Sequence, residues 1–386
     1  MSNKNFSFSK IRAYISGIGV IFTFLICFLV YVHSQERNIE DLFPADLPTQ
    51  SRLVRSGDVV KGDFHAVGHL EPSNEETLEL GILIGDDERL PGDIVSRLEN
   101  FISKYPDTAY GPSIRNQLAA FYKRSGRYQR AMDHWASSWA ATADLQTREG
   151  KKIADEAVAH LAHQLASLGE IELLERVFAE TAGRVLDTDI FTELYLRSWE
   201  KYGRMKHKPE TSFLCGVVAL DKVAHAMNAQ HDRGNLMATQ GKVGGFSLSE
   251  LQGLSEDFQL GMKMVFMESP NATLIVPSVI HMSVGHYAAI TDVIQDGFRV
   301  EDPTNGRYRW LTQEEILEEA SGFLSFLKKQ TQEATEPFVR GKVGRFLVKD
   351  KHCVHLPPAK IQDNLVQMIN AVFQEHHPTG IHLNPK

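Results

Sequence analysis

Residues 212–227 read SFLCGVVALDKVAHAM, a short loop that runs into an apolar stretch with a helical pattern. Cys215 therefore stands at the predicted start of a helix, directly before Gly216. A cysteine attacks as its thiolate, and both a helix N-terminus and a neighbouring imidazole lower the pKa of the thiol. Gly216 leaves room for a carbonyl group to approach backbone N–H groups that could supply half of an oxyanion hole. The alternative is that Cys215 is a small buried side chain without a chemical role.

Two strands further along the chain carry the residues that such a thiol would need. His286 opens the alternating segment HYAAITDVI, and Asp302 closes the segment FRVED. A thiol nucleophile needs a base that takes its proton, and the base needs a third group that orients it. Cys215, His286 and Asp302 are therefore the candidate catalytic residues. Taken singly, His286 would also suit a bonded position in the core, and Asp302 before a proline would also suit a turn.

The pairing of these two strands decides whether His286 and Asp302 can meet. Residues 295–297, Gln-Asp-Gly, predict a hairpin turn between the strands. If all three lie in the loop, residue 290 pairs with residue 302, and the two side chains share a face but lie four residues out of register. A two-residue turn would place them on opposite faces unless a bulge intervenes. The sequence permits the contact without establishing it.

Mixed helices and strands are predicted from residue 209 to about residue 327. The segments KMVFM and TLIVPSVI predict strands, and SLSELQGLSEDFQL predicts a helix capped by Ser247 or Ser249. The segment GRYRWLTQEEILEEAS predicts a strand and then a helix from about Thr312. Together these segments predict an α+β fold in which an antiparallel sheet packs on helices.

Residues 91–205 have a helical pattern. NQLAAFYKRSGRYQRAMDHWASSWAA predicts two helices joined by a tight turn at Gly126, with the small Ala131 where the helices approach. ADEAVAHLAHQLASLGEIELLERVF predicts a second pair with its turn at Gly169. These units resemble tetratricopeptide repeats, which usually form a concave surface for partner proteins, but the turn glycines are 43 residues apart instead of the usual ~34. The repeats would be degenerate or carry an insertion, and the alternative is a plain helical bundle.

The N-terminus predicts a membrane anchor. Residues 13–32 read AYISGIGVIFTFLICFLVYV, which is long and apolar enough to span a bilayer as one helix. Basic residues precede it, and positive flanks stay in the cytoplasm, so the rest of the chain is expected on the periplasmic or extracellular side. Residues 1–34 are thus a predicted anchor, with a cleaved signal peptide as the alternative. Residues 35–90 predict an acidic tether with little regular structure, and residues 331–386 predict a tail with one candidate helix.

Composition and residue counts argue against several classes of function. The 386 residues carry a net charge of −8 at pH 7 without a long basic run, so no nucleic-acid partner is expected. Three cysteines cannot define a disulfide framework, and a bond between Cys215 and Cys353 is the structural alternative for the two that lie outside the apolar segment. His281 and His286 are five residues apart without a further ligand cluster, so we assign no metal and no other cofactor.

Four blocks within residues 206–330 resemble the C39 family of papain-like cysteine peptidases, which trims double-glycine leaders in bacteriocin export. The blocks are SFLCGVVALDKV, GFSLSELQGLSEDFQLGMKM, IVPSVIHMSVGHYAAITDVIQDGFRVEDP and GRYRWLTQEEILEEASG. The separation of 16 residues between His286 and Asp302 matches the usual spacing of the family. The resemblance implies a papain-like fold with Cys215 as nucleophile, His286 as general base and acid, and Asp302 as the residue that orients His286.

The sequence departs from this family at two positions before the cysteine. The family has a glutamine six residues earlier, whose side-chain N–H donates to the oxyanion, and this chain has Pro209 there. Many members have an aspartate directly before Cys-Gly, and this chain has Leu214. Loss of one oxyanion donor typically lowers the rate by about 10²–10³. The resemblance therefore implies either a slow enzyme, one with a different donor, or an inactive domain retained for binding.

Two functions from different classes are expected from these features. The first is a membrane-anchored cysteine peptidase that cleaves a peptide or protein substrate outside the cytoplasm, with a partner or substrate protein on the helical repeats. The second is an inactive scaffold that binds a peptide or partner protein. The order of anchor, helical repeats and C39-like domain also resembles the N-terminal part of large bacterial Rhs-type proteins, which implies a single-pass protein of the bacterial inner membrane and a stand-alone or truncated form.

Overall fold

The computed structural model describes residues 64–68, 72–84, 91–267, 274–304 and 307–327. All of them belong to one of the two units into which the chain divides, residues 48–386. The predicted anchor at residues 13–32 and the predicted tail helix after residue 331 lie outside the described residues. No helix within the described ranges is long and apolar enough to cross a membrane.

The helical region predicted before residue 205 is confirmed. Within the described ranges its helices are α1 (Asn74–Ile84), α2 (Pro91–Lys104), α3 (Gly111–Arg124), α4 (Tyr128–Thr142), α5 (Arg148–Leu168), α6 (Ile171–Glu180) and α7 (Asp189–His207). Helix α3 packs on α4, α4 on α5, and α5 on α7. This succession of neighbours places α5 between α4 and α7.

Both turns that the glycines predicted are present. Gly126 between α3 and α4 has a φ of +81°, and Gly169 between α5 and α6 has a φ of +85°. A residue with a side chain is strained in this left-handed region, so glycine suits both turns. Ala131 in α4 is fully buried, in keeping with the small residue expected where α3 and α4 approach. The tetratricopeptide character of these helix pairs stays a prediction.

Helix α1 corrects the expectation that residues 35–90 have little regular structure. Ser73 and Glu76 form a capping box, in which Glu76 N donates to Ser73 Oγ at 3.2 Å and Ser73 N donates to Glu76 Oε2 at 2.5 Å. Leu80 and Leu83 are buried in the core of the helical region. The Ser-x-x-Glu pattern is a helix start signal, and here it outweighs the acidic composition of the segment.

The predicted α+β fold of the following part is confirmed. After a short 3₁₀ turn (Pro209–Thr211), the elements are α8 (Cys215–Ala226), α9 (Arg233–Met237), α10 (Leu248–Asp257), β1 (Met262–Phe266), β2 (Ser278–Met282), β3 (Tyr287–Ile294), β4 (Gly297–Asp302), β5 (Arg307–Thr312), α11 (Gln313–Glu319) and β6 (Ala320–Leu327). The strands form one antiparallel sheet in the order β1-β6-β2-β3-β4-β5. Ser247 caps α10 with a capping box and Thr312 caps α11 in the same way.

Strand β6 was not predicted, although it lies inside the sheet between the edge strand β1 and β2. Its first residues, Ala-Ser-Gly, resemble a turn more than a strand. Gly322 has a φ of +90°, and an added Cβ there would lie 2.7 Å from the ring of Phe266. A glycine inside a strand often marks such a close approach. The glycine that makes Ala-Ser-Gly resemble a turn is therefore explained by packing against β1.

The hairpin of β3 and β4 combines a two-residue turn with a bulge, so the pairing of residue 290 with residue 302 is wrong. Ile290 pairs with Val300, and the register shifts between Ile290 and Asp292. A two-residue turn alone would place His286 and Asp302 on opposite faces of the hairpin. The extra residue in β3 reverses the facing of the residues before it. His286 and Asp302 therefore come to lie on one face of the hairpin.

The sheet separates two apolar cores. Tyr287 and Ala289 of β3 join Val217 and Leu220 of α8 in the smaller core. On the opposite face, Ala288 and neighbouring strand residues join the large core that continues into the helical region. Successive residues of a strand point to opposite faces, so β3 contributes to both cores. The helical region thus packs directly on the face of the sheet that is opposite to α8.

Candidate active site

Cys215 is the first residue of α8, as the sequence predicted. Leu214 at the N-cap makes no side-chain hydrogen bond to the first turn, whose N–H groups have no partner within the helix. Gly216 fits where a larger residue would not, because an added Cβ would lie 2.9 Å from Leu251 and 3.3 Å from Tyr287. The Cys215 thiol is free and partly exposed, which suits a nucleophile.

His286 and Asp302 contact each other across the β3–β4 hairpin. His286 Nε2 lies 2.9 Å from Asp302 Oδ1, and the two residues are only 2% and 3% exposed. The bulge in β3 is what brings them onto the same face. Because Nε2 is engaged by the carboxylate, Nδ1 is the ring nitrogen left for the thiol of Cys215. The structure thus brings together all three residues singled out in the sequence.

Thr304 closes the site beside the carboxylate. Its backbone N–H donates to Asp302 Oδ1 at 2.7 Å, and its Oγ1 lies 2.9 Å from His286 Nε2. The Asp302 carboxylate therefore accepts a hydrogen bond from the turn that follows it, as the alternative expected, and it also bonds the imidazole of His286. Sequence analysis missed Thr304, although its position directly after the Asp-Pro pair was a usable signal.

The electrostatics of the three groups favour charge separation. Burial alone would raise the pKa of Cys215, but the hydrogen bond and charge of His286 and the N–H groups of Tyr287 and Gly216 outweigh it and lower that pKa. Burial opposes the charged form of His286, but the hydrogen bond and charge of Asp302 outweigh it and raise the pKa of the imidazole. Each shift favours a thiolate beside an imidazolium, the pair that a cysteine nucleophile needs.

Part of the chain matches a known protein family. Residues 210–332 match the model of the Peptidase C39 family, about a third of the chain. This part of the chain is a C39-like domain. No curated protein matches the chain. A solved structure of a double glycine motif protease from an AMS/PCAT transporter, in complex with the leader peptide, is similar at 16% identity and a TM-score of 0.26, over 30% of this chain and 84% of the other.

The helical region reaches the C39-like domain at the carboxylate of Asp302. Tyr128, the first residue of α4, donates its hydroxyl to Asp302 Oδ2. Arg309 on β5 donates to the same hydroxyl at 3.2 Å and lies 3.8 Å from Asp302 Oδ2. The His286 ring meets the Tyr128 ring edge to face, with their centroids 6.2 Å apart. Sequence analysis missed Tyr128, because 174 residues separate it from Asp302 and no local pattern marks it.

Further contacts fix the start of α4 on α11 of the C39-like domain. Arg127 pairs with Glu315, and Arg130 pairs with Glu318. The backbone N–H of Gln129 donates to the buried Glu319 at 3.3 Å. Burial raises the pKa of Glu319 to about 7. These pairs hold Tyr128 in place next to the Asp302 carboxylate.

A second contact lies at the turn between α5 and α6, beside the loop that leads into Cys215. An added Cβ at Gly169 would lie 2.7 Å from the ring of Phe213, which itself has a φ of +58°. Glu170 follows this turn, and its Oε1 would lie 3.8 Å from a Cβ on Gly285, the residue before His286. Burial raises the pKa of Glu170 to about 7. The α5–α6 turn therefore borders the candidate site near both Cys215 and His286.

Pro209 occupies the position where the family has its oxyanion glutamine. It opens the 3₁₀ turn Pro209–Thr211 and offers no side-chain donor. Behind this turn, Gly241 N donates to Glu210 O at 2.8 Å, and an added Cβ on Gly241 would lie 1.9 Å from Ser212 O. The loop before Cys215 is thus held closely by backbone contacts.

His281 is not one of the three candidate catalytic residues, although its ring lies 4.8 Å from that of Tyr287, the neighbour of His286. Its Nδ1 is 2.7 Å from Ser321 Oγ, and burial lowers its pKa to about 4, so the ring is neutral near pH 7. Within the described residues, no group of three or more His, Cys, Asp and Glu side chains is placed to hold a metal ion.

Proposed function

We propose that this chain is a cysteine peptidase of the C39 type, in which Cys215, His286 and Asp302 cleave a peptide bond of a peptide or protein substrate. The observation that carries the proposal is the hydrogen bond of 2.9 Å between His286 Nε2 and Asp302 Oδ1, next to a thiol of lowered pKa at the start of a helix. A carboxylate that orients an imidazole beside a free thiol is the arrangement that nucleophilic acyl transfer needs.

The reaction would proceed in two halves. In the first, the Cys215 thiolate attacks the carbonyl carbon of the scissile bond, and the His286 imidazolium gives its proton to the leaving amine. The product is a thioester on Cys215. In the second, neutral His286 takes a proton from water as the water oxygen attacks the thioester; the Cys215 thiolate leaves beside the imidazolium, and the acid product loses its proton to solvent as a carboxylate. Asp302 stays ionised throughout and holds the imidazole in one orientation.

The oxyanion of each tetrahedral intermediate would be bound by backbone N–H groups at the start of α8. Dipoles aimed at developing negative charge stabilise it most in a site that excludes water. Pro209 removes the side-chain donor that the family places here. We therefore expect a slower acyl transfer than in relatives with the glutamine, by about 10²–10³.

The helical region would both present the substrate protein and hold the catalytic carboxylate. Its residue Tyr128, together with Arg309 on β5, leaves Asp302 bonded on both oxygens.

We place the domains on the periplasmic or extracellular side of a bacterial inner membrane, anchored through residues 13–32, because basic residues precede that apolar segment.

The second candidate function is a scaffold without catalysis. Pro209 at the oxyanion position favours it, since this substitution removes a transition-state contact and leaves the fold of the loop intact. In that case the C39-like domain would grip an extended peptide and the helical region would bind a partner. The two functions differ in the reactivity of Cys215.

Alkylation of Cys215 separates the two functions without knowledge of the substrate. The full chain would be treated with an iodoacetamide probe from about pH 4 to about pH 9, in a Cys353→Ser background that removes the other soluble thiol. If the chain is a peptidase, Cys215 should react at pH values well below ~8.5, the pKa of a free thiol. His286→Ala should return the pH dependence of the reaction to that of a free thiol. His225→Ala, at an exposed position near the other end of α8, is the matched control and should leave the profile unchanged. A thiol that titrates like a free one, or that never reacts, would rule out the peptidase and leave the scaffold.

A further inference from the structure

A cluster of cations and aromatic rings lies between α3, α4, α5 and α7 of the helical region. The Lys123 ammonium lies 5.8 Å from the centroid of the Trp135 ring, which stacks on His160 at 5.1 Å. Lys201 Nζ donates to Ser167 Oγ at 2.7 Å and lies 3.3 Å from His163 Nε2. His160, His163 and Ser167 share one face of α5, because residues three, four and seven apart are neighbours on a helix.

The cations of this cluster lack negative partners. Within the part of the chain that the structure describes, neither Lys123 nor Lys201 forms an ion pair. Arg197 is occupied by Glu193, and the nearest carboxylate along the same face of α5, Glu156, accepts from Asn116 at 3.3 Å. Two half-buried lysines without carboxylate partners repel each other and attract an anion.

The titration of the cluster agrees with this excess of positive charge. Burial, with the charges of Lys201 and Arg309, lowers the pKa of Lys123 to about 8. Burial, with the charges of Lys201 and Lys123, lowers the pKa of His163 to about 3. His163 is therefore neutral near pH 7, and since Nε2 faces the Lys201 ammonium, Nδ1 carries the ring hydrogen.

Several buried polar atoms on α4 and α5 also lack a hydrogen-bond partner. They are Trp135 Nε1, His160 Nδ1, His163 Nδ1 and both amide atoms of Gln164, none of which is hydrogen-bonded among the residues described. Trp135 is 1% exposed and Gln164 is fully buried. A buried polar group without a partner costs about 1–3 kcal/mol, so such groups normally meet a ligand or water. Most of these atoms are hydrogen donors, which suits an acceptor-rich ligand.

We propose that this cluster is a binding site for a carboxylate side chain of an acidic polypeptide segment. Two ammonium groups and the N–H groups of Trp135 and His163 complement a carboxylate in charge and in hydrogen bonding. The rings of Trp135, His160 and Phe191 provide apolar walls, with His160 and Phe191 in edge contact at 6.1 Å. Such walls suit the hydrocarbon stem of a glutamate better than a compact hydrated anion.

Fluorescence anisotropy tests the site directly. A fluorescein-labelled oligoglutamate peptide would be titrated with the full chain carrying Cys215→Ala, so that the probe cannot be cleaved and binding is measured apart from catalysis. Lys123→Met and Lys201→Met should each weaken binding at least about tenfold. Lys104→Met removes the same charge from an exposed pair with Glu79 in the helical region and should leave binding unchanged. No binding of the peptide, or equal losses for all three variants, would overturn the proposal.

Competition decides between a polypeptide and a free anion. An unlabelled oligoglutamate should displace the probe, and an oligolysine peptide should not. If inorganic phosphate displaces the probe better than sodium chloride of equal ionic strength, the site takes a free anion and the polypeptide assignment is wrong.

Chemical modification tests the site without any substitution in it. Lys123 should be acetylated by acetic anhydride faster than Lys104 near pH 8, because its lowered pKa leaves more free amine. Bound oligoglutamate should protect Lys123 several-fold and leave Lys104 unprotected. Equal reaction of Lys123 with and without the peptide would refute the site even if the substituted proteins fold poorly.

Discussion

The two glycine turns of the helical region contact opposite ends of the candidate site in different ways. At the Gly126 turn the contacts are polar, since Tyr128 bonds Asp302 and an added Cβ on Gly126 would meet the end of the Arg309 side chain at 2.7 Å. At the Gly169 turn the contact is steric, because the Phe213 ring fills the space that a side chain would take. The first turn acts on the orientation of the carboxylate, and the second acts on the position of the nucleophile loop.

The largest effect is expected at the polar end, from Asp302→Asn. Both oxygens of Asp302 accept hydrogen bonds, from Thr304, His286 and Tyr128, so an amide would turn its NH₂ toward a donor in either orientation. Loss of the correct imidazole tautomer should lower kcat by about 10⁴-fold. The alkylation profile of Cys215 should move toward that of a free thiol.

Asp292→Asn is the control for this prediction, since Asp292 lies exposed on the same hairpin. If Asp302→Asn and Asp292→Asn gave the same alkylation profile, Asp302 would have no part in orienting His286.

The next effect concerns the nucleophile end. Pro209→Gln restores the side-chain donor of the family and should raise the rate of acyl transfer by about 10²–10³. The burst of thioester formed with an activated ester, followed by stopped-flow absorbance, measures it. Pro209→Leu controls for the loss of proline alone. An equal rate in both variants would show that the loop does not point the side chain of residue 209 toward the oxyanion.

Tyr128→Phe separates the polar contact from the rest of the interface. It leaves Asp302 Oδ2 buried with Arg309 at 3.8 Å, so the free energy of unfolding should fall by about 1–3 kcal/mol. Chemical denaturation measures the change. Tyr110→Phe is the control, because Tyr110 is half-buried in the same region and its bond to Thr77 is 3.3 Å long. Similar losses in both variants would argue against a special role of the Asp302 contact.

Glu319→Gln tests how the interface depends on pH. The folded carboxyl of Glu319 titrates near 7 and the unfolded one near 4.5, so the folded state holds more protons between these values and loses stability as pH rises through them. Glutamine cannot ionise, so the variant should be more stable than the native chain at pH 8 by about 3 kcal/mol and should match it near pH 4. Glu314→Gln, exposed on the same helix, should leave the pH dependence unchanged. If Glu319→Gln raised the free energy of unfolding equally at all pH values, the burial of an ionised Glu319 would not be the cause of the gain.

The smallest effect is the difference between Gly126→Ala and Gly169→Ala. Both positions have a positive φ, which costs alanine about 1 kcal/mol. Only Gly169→Ala also displaces an aromatic ring, whereas the Arg309 side chain near Gly126 can shift at its flexible end. Thermal unfolding should therefore show a loss greater by about 1 kcal/mol for Gly169→Ala. An equal loss would mean that Phe213 adapts as easily as Arg309.

Local signals in the sequence were sufficient for the parts of the fold that depend on neighbours in the chain. Gly126 and Gly169 marked the helical turns, and Ser247 and Thr312 marked the starts of helices. Cys215 at the start of α8 followed from the apolar pattern after it. Caps and periodicity act over a few residues, so they can be read without knowledge of the tertiary structure.

The features that escaped prediction depend on contacts between distant residues. The bulge at residue 291 is set by pairing with β4, and the place of β6 between β1 and β2 is set by the whole sheet. Tyr128 reaches Asp302 only because the helical region packs on one face of that sheet. Pairing and packing at such separations leave no periodic trace in a single sequence.

The position of β6 between β1 and β2 has a consequence for the order in which the sheet can form during synthesis. Strands β1 and β2 are synthesised well before β6, yet both pair with it, Val265 through Leu324 and Ile280 through the same residue. Domains fold from the N-terminus as they are synthesised, so the helical region can assemble while the sheet still lacks its linking strand. Until residue 327 is available, a growing chain already holds the thiol, the imidazole and the carboxylate but cannot close the sheet. Synthesis of β6 therefore sets the moment at which the nucleophile can become reactive.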